Sequence, residues 1–189
     1  MDIITAPHTT LRTKANPVKN LDNKMIDFIH NLATSLEDQQ DPPGVGLAGP
    51  QVNRKIRAFA IRPVENRSSK LPSPQVFVNP KIVDHSTKQV LGVDEKKPDL
   101  EGCLSIPKIY GPVLRWEWVD LKYQILKKNK LIKKKQRFKN FTARIVQHEL
   151  DHLNGVLFTD YLLKHNLPAY IKEKNGLVEL SDRSILQVY

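Results

Sequence analysis

The sequence predicts an α+β fold in a single domain that spans residues 1–189. Segments with strand-like composition follow one another, and two amphipathic helix patterns stand apart from them, with few strand–helix–strand alternations. A chain of 189 residues and 21.7 kDa has the length of one domain and can bury a core without disulfides. Its 40% hydrophobic and 26% charged residues are typical of a globular protein and argue against disorder.

The first quarter of the chain is predicted to run from an extended segment into a helix. Residues 3–18 are expected to be extended, because prolines interrupt them. Apolar residues then recur at helical spacing from Met25 to Leu36, with Asn20 or Asp22 as the candidate N-cap. Asp41-Pro42-Pro43 should lie beyond the end of this helix.

The middle of the chain is predicted to form strands joined by turns and polar loops. Strand patterns cover residues 56–61, 76–83, 113–126 and 131–141, and the intervening loops are 66–74, 94–99 and 127–130. A second amphipathic helix is predicted over about 142–154, with Gly155 just past its end. A short last helix is predicted over 168–174, and the tail to residue 189 has no clear pattern.

The positive charge of the chain is concentrated in one segment. Lys and Arg number 30 and Asp and Glu number 20, which gives a net charge of +10. Residues 122–139 hold nine of the cations and no acid. Such a block predicts contact with an anionic surface such as RNA, although a solvated hairpin face explains it equally well.

The sequence also limits where the protein works. No apolar run is long enough to span a bilayer or to form a signal peptide, so we expect no membrane partner and a cytoplasmic location. Removal of an organellar transit segment would leave the same sequence. Cys103 is the only cysteine, which excludes an intramolecular disulfide and fits a reducing compartment. We expect a monomer.

The clearest chemical motif is Gln147-His148-Glu149-Leu150-Asp151-His152. The two histidines are four residues apart, so they share one helix face and can bind one metal ion. Glu149 can then act as general base on a metal-bound water. Apolar neighbours predict that this helix is buried, where unpartnered polar groups would be costly, and this favours a metal over two surface histidines.

A catalytic metal needs a third protein ligand and an open position. No histidine follows at the metzincin spacing, and Glu173 and Glu179 have no supporting pattern as gluzincin-type ligands. Cys103 is the candidate, because thiolate binds zinc and iron(II) strongly. The alternative for this residue is a buried structural thiol.

Three motifs in this order resemble the signatures of the peptide deformylases. They are Gly44–Gln51, Glu101-Gly102-Cys103-Leu104-Ser105 and Gln147–Leu153, and the resemblance spans about residues 3–165. Gly49 stands where the family usually has a second alanine, and we expect it to loosen the loop slightly.

The resemblance implies a fold and an activity. The fold would be a set of mixed or antiparallel sheets packed around a central metal-binding helix. Cys103, His148 and His152 would bind one divalent metal, expected to be iron(II), with zinc, nickel or cobalt as substitutes. The enzyme would be a hydrolase that removes the formyl group from the N-terminal formyl-methionine of nascent polypeptides and releases formate.

The same resemblance implies roles around the metal. Glu149 would take the proton of the attacking water, and the Gln51 side-chain amide and the Leu104 backbone N–H would hold the developing oxyanion. Glu101, Arg115 and Asp151 would lie behind the ligands. Glu101 is expected to bond Arg115, and Asp151 to orient a ligand imidazole.

Substrate contacts are implied as well. Val45, Phe141 and Ile145 would line the methionine pocket, and the backbone at Gly46 would approach the peptide. The Arg144 stem is expected to pack there while its charged end reaches solvent. The basic segment would favour association with the ribosome.

Two other functions remain open from the sequence. A zincin-type endopeptidase would use the two-histidine helix and keep its metal without Cys103. A basic ribosome- or RNA-binding module with a structural metal would need a closed four-ligand site, and only three candidate ligands stand out.

Overall fold

The computed structural model describes residues 1–41, 43–64, 71–94 and 96–187, and it has an α+β architecture with antiparallel sheets, as predicted. Within these residues there are three α-helices: α1 (Asn23–Glu37), α2 (Asn140–Asn154) and α3 (Phe158–Lys164). The strands are β1 (Gly46–Ala48), β2 (Ala58–Ile61), β3 (Gln75–His85), β4 (Gln89–Val90), β5 (Leu100–Cys103), β6 (Ile106–Pro112), β7 (Arg115–Trp116), β8 (Trp118–Lys127), β9 (Lys130–Lys139), β10 (Tyr170–Glu173) and β11 (Gly176–Glu179). Within the described residues no helix has both the length and the apolar character needed to cross a membrane.

A five-stranded sheet in the order β1-β2-β3-β8-β9 lies between the two long helices. On one face, Phe59 and Phe77 pack with Ile145 and Val146 of α2. The other face carries small side chains of β2, which pack against α1 residues such as Leu32. Most residues of α2 from Thr142 to Leu153 are buried, so this helix lies in the interior of the molecule.

The two predicted long helices are confirmed. Asp22 caps α1 by accepting the Met25 backbone N–H at 2.8 Å. Gly155 ends α2 with φ of 76°, where a Cβ would press against the carbonyl group of Arg12. The α2 helix begins at Asn140, two residues earlier than predicted.

A four-stranded sheet in the order β11-β10-β6-β5 forms the second layer, and α3 packs against β5 and β6. The predicted helix over 168–174 is wrong, because this segment contains β10. Tyr170 and Ile171 pair with Tyr110 and Ile109 of β6, so the backbone groups at that edge are satisfied by a strand.

Other segment predictions hold with adjusted limits, except that residues 3–18, predicted to be extended, include a 3₁₀ helix at Thr9–Arg12. The strand predicted over 56–61 narrows to β2, and the one predicted over 113–126 divides into β7 and β8. Pro42, the 66–70 part of the predicted loop 66–74, Glu95 and residues 188–189 of the tail lie outside the described residues.

Candidate active site

Cys103, His148 and His152 bring one sulfur and two ring nitrogens within 4.8 Å of one another. Cys103 is the last residue of β5, and the histidines are one turn apart on α2. The Cys103 Sγ lies 3.2 Å from the His152 Nε2. Sulfur and nitrogen donors bound to one tetrahedral ion at about 2.0–2.3 Å lie about 3.3–3.6 Å apart, so the cluster has the dimensions of a single-ion site.

The position of α2 is fixed by its burial and by a side-chain clamp. Gln147 accepts the Trp116 backbone N–H at 2.9 Å and donates to the Trp116 carbonyl at 2.9 Å. This amide replaces a strand partner for β7 and ties the helix to it. The sequence motif includes Gln147 but does not reveal this role.

Glu101 is the hub behind the ligands. Its two oxygens accept four hydrogen bonds, two from Arg115 and one each from Arg144 and His148. Burial alone would raise the pKa of Glu101, but the charge and hydrogen bonds of Arg115 and the hydrogen bond from His148 outweigh it and hold the pKa well below its usual range. The predicted Glu101–Arg115 bond is therefore present.

The hydrogen bond from His148 Nδ1 to Glu101, 2.9 Å long, determines how this imidazole faces the cluster. With Nδ1 committed to the carboxylate, Nε2 is the nitrogen available for a metal. Burial lowers the pKa of His152 well below its ordinary value. A neutral imidazole is the form that binds a metal, so burial favours the ligand state of His152.

Asp151 acts one step further out than predicted. Its oxygens accept hydrogen bonds from Arg115 at 2.5 Å and from the Tyr161 hydroxyl at 3.1 Å, instead of contacting a ligand imidazole. The Arg115 guanidinium also lies over the Tyr161 ring, 4.9 Å from its centre. The chain Tyr161–Asp151–Arg115–Glu101 thus ends on His148, and nothing in the sequence marked Tyr161 as part of it.

Glu149 is the isolated carboxylate of the site. Its side chain is 3% exposed, and among the described residues its Oε2 has no hydrogen-bond partner. Burial raises the pKa of Glu149 to about 7. A group with this pKa can accept and return a proton near neutral pH, which suits a general base.

Gly46 allows β1 to lie directly against this carboxylate. A Cβ at residue 46 would overlap the Glu149 Oε1 and lie 2.7 Å from its Cδ. The close approach of backbone to carboxylate therefore requires glycine.

Gln51 presents its amide nitrogen to the cluster. Its Oε1 accepts the Ala48 backbone N–H at 2.8 Å, which orients Nε2 toward Cys103 Sγ at 3.5 Å and Ser105 Oγ at 3.2 Å. The N-terminal segment supports Gln51 and Ser105, since the Ile4 N–H donates to the Gln51 carbonyl and the Ala6 N–H donates to the Ser105 carbonyl. Gly49 does not loosen this loop, because the Ile56 carbonyl oxygen fills the space of a Cβ.

A cleft of about 1050 Å³ opens beside the cluster. Its walls include Val45, Gly46, Phe141 and Ile145, the residues that the sequence suggested for substrate contact, together with Leu104 from the turn after β5. The expectation for Arg144 is wrong. Its guanidinium is buried and bonds Glu101 and the carbonyls of Val113 and Val90, so it does not reach solvent.

One thiolate and two imidazoles are donors that suit zinc and iron(II), and three protein ligands leave a position for water or substrate. A buried carboxylate with a raised pKa stands beside them at the end of a large cleft. Fold and site together define a mononuclear metal-dependent hydrolase.

The chain belongs to the polypeptide deformylase family, whose model matches residues 1–167. It is 34% identical over 178 residues to a peptide deformylase of Borreliella burgdorferi. This alignment covers 92% of this chain and 97% of that protein. A peptide deformylase of Psychrobacter cryohalolentis is 35% identical over 162 residues, and the alignment covers 86% of this chain and 79% of that protein.

Solved structures agree. The Met-Ala-Ser-bound class I type b peptide deformylase of Acinetobacter baumannii superposes with a TM-score of 0.70 at 32% identity, covering 85% of this chain and 97% of that one. The actinonin complex of a Synechococcus elongatus peptide deformylase superposes with a TM-score of 0.69 at 31% identity, and the match covers 85% of this chain and 77% of that one. Fold and family thus confirm the resemblance, and the chain is an enzyme of this hydrolase family.

Proposed function

We propose that this enzyme removes the formyl group from the N-terminal formyl-methionine of nascent polypeptides. The observation that carries the proposal is the meeting of Cys103, His148, His152 and the buried Glu149 at one end of the cleft, in a chain of the deformylase family. The products would be formate and a peptide with a free methionine amine.

The site would hold one divalent metal through Cys103, His148 and His152, and we propose iron(II), with zinc, nickel or cobalt as substitutes. When bound, such an ion lowers the pKa of water and polarises a carbonyl. Metal analysis of protein purified without oxygen tests the identity of the ion.

The residues of the chain then divide the remaining work. Glu149 takes a proton from the attacking water as the water oxygen bonds to the formyl carbon. The Gln51 Nε2 and the Leu104 backbone N–H donate to the oxygen that gains negative charge. Glu149 next returns the proton to the amide nitrogen, the C–N bond breaks, and formate leaves. Arg115 and Arg144 hold Glu101, with Asp151 fixing Arg115, and Glu101 keeps His148 in its ligand orientation.

Substrate recognition would begin at the methionine side chain. Val45, Phe141 and Ile145 give the wall of the cleft near Glu149 an apolar surface. Backbone near Gly46 lies at the edge of the five-stranded sheet, where an extended peptide can pair.

We also propose that the basic segment 122–139 favours binding to the ribosome. Lys81, Lys122 and Lys135 are cross-strand neighbours on β3, β8 and β9. Like charges directly opposite one another destabilise a sheet, so this row favours an anionic partner. Asp120 neutralises part of the face through Arg137 at 2.7 Å and Lys135 at 3.8 Å.

Cosedimentation with ribosomes tests this association. Reversing Lys122, Lys133 and Lys135 to glutamate should reduce binding several-fold, and the loss should vanish at high salt where binding itself is weak. Lys134→Glu is a single-site control for the face of the strand, because strand alternation points that side chain to the opposite face. Equal binding by the triple variant and the wild type would refute the proposal. We place the enzyme in the cytoplasm, where nascent chains emerge, and expect a monomer in solution.

Formate release tests the main proposal. Metal-loaded protein should release formate from formyl-Met-Ala-Ser, should leave acetyl-Met-Ala-Ser intact, and should cleave no internal peptide bond. Cys103→Ala should lose both metal and activity. A Cys103→Ala variant that keeps its metal and cuts internal bonds would indicate a zincin-type endopeptidase. If no formylated peptide yields formate, the remaining hypothesis is that the protein is a ribosome-binding module with a structural metal.

A further inference from the structure

The outer end of the cleft is built by the β10–β11 hairpin, which the sequence did not predict. Tyr170 pairs with Tyr110 and Ile171 with Ile109, so β10 extends the sheet that begins with β5. Lys172 and Lys108 lie next to this last pair, one on each strand.

These two lysines lie beside the paired tyrosines of β6 and β10. Lys108 is two residues from Tyr110, and Lys172 is two residues from Tyr170, which is the partner of Tyr110. The Tyr110 ring occupies the space above Gly102, the neighbour of Cys103. Both lysines line the same cleft as Glu149.

The mouth of the cleft therefore carries a net positive charge. Lys108, Lys172 and Lys174 line it and are exposed, and the acid among the neighbouring lining residues is Glu173. Glu173 follows Lys172 directly, and its single negative charge leaves the three lysines in excess. Glu179 faces Tyr170 across the hairpin but does not line the cleft.

No salt bridge within the described part of the chain includes Lys108, Lys172 or Lys174. Lys108 and Lys172 line the same opening, so their like charges repel each other. An anion between the two ammonium groups would relieve their repulsion.

We propose that this mouth is a subsite for an acidic side chain of the substrate. The inference rests on the proposed deformylase function, which anchors the formyl group beside Glu149. An extended peptide advances about 3.3 Å per residue, and the hairpin end of the cleft would receive its third or fourth residue. The enzyme thereby favours formyl-methionyl peptides with Asp or Glu at the third or fourth position.

The test compares kcat/KM for formyl-Met-Ala-Ser-Ala and for peptides with Glu, Gln or Lys at position two, three or four. Glu should exceed Lys about fivefold at position three or four, because each exposed ion pair adds only a small free energy. The ratio should fall toward one in 0.5 M salt.

Variants locate the effect. Lys108→Gln combined with Lys172→Gln should remove the preference, and the corresponding double glutamate variant should invert it. Both should keep kcat/KM for the neutral peptide within about twofold. The matched control, Lys24→Glu with Lys130→Glu, changes the net charge equally at exposed positions outside the cleft lining and should keep the preference.

The outcomes separate the two proposals. Suppose that the neutral peptide is deformylated but kcat/KM is the same for Glu, Gln and Lys at every position. That result would overturn the subsite, and so would a preference for Glu that persists in the double glutamine variant. Failure to release formate from any peptide would instead overturn the deformylase function.

Discussion

Replacing Gly46 with alanine should remove most of the activity while leaving the metal ligands in place. The added Cβ would overlap the Glu149 Oε1 and lie 2.7 Å from Cδ and 3.0 Å from Cγ. Three side-chain atoms are affected, so no rotation of a terminal group alone relieves the overlap. The carboxylate must move by about 1 Å, and such a displacement of a catalytic group costs about a hundredfold in rate.

The assay is formate release by metal-loaded protein, with metal content and melting temperature measured on the same sample. We expect kcat to fall about a hundredfold, metal content to stay equal to the wild type, and the fold to persist. Gly44→Ala is the matched control in the same loop. Its Cβ would meet the flexible end of Leu36 at 2.9 Å and Gln39 Cβ at 3.0 Å, far less consequential atoms for the reaction. A kcat for Gly46→Ala within threefold of wild type would refute the geometry of the base.

Three further predictions concern the hydrogen bonds of Glu101, the pKa of Glu149 and the packing of Phe77. Glu101→Gln removes the negative charge between two buried guanidinium groups. It should lower metal affinity 10- to 100-fold in a metal titration and the free energy of unfolding by about 3–5 kcal/mol in urea. Unchanged metal affinity would contradict this prediction. Glu149 acts as base only when deprotonated, and burial raises its pKa to about 7 while a bound cation lowers it. Hence kcat/KM should fall as pH decreases through a limb at or below 7, and a flat profile from pH 9 to 5 would contradict this role. Phe77→Ala should cost about 3–5 kcal/mol in urea unfolding, because the ring is 1% exposed and stacks on Phe59 at 5.2 Å; a loss under 1 kcal/mol would contradict that packing.

Local signals in the sequence were sufficient for the two long helices and for the pair of histidines on α2. The helical spacing, the Asp22 cap and the terminal Gly155 depend on neighbours within a turn, so α1 and α2 were predictable. His148 and His152 share a face for the same reason. Cys103 needed the motif order, because its approach to α2 depends on β5, which lies far away in sequence.

Long-range contacts explain what the sequence could not show. The segment around Tyr170 becomes a strand because β6 offers a free edge, and no pattern within the segment records that edge. Arg144 is drawn inward by Glu101 and two carbonyls from other elements. Tyr161 joins the network through Asp151, ten residues earlier, across the end of α2 and the start of α3.

The most direct test of the account is a paired measurement of metal and formate in Glu149→Gln. Glutamine preserves the size of the side chain but cannot accept the proton of the attacking water. We predict one metal per chain, as in the wild type, with formate release from formyl-Met-Ala-Ser reduced at least a thousandfold. Wild-type formate release by the metal-loaded variant would contradict the assignment of Glu149 as the base.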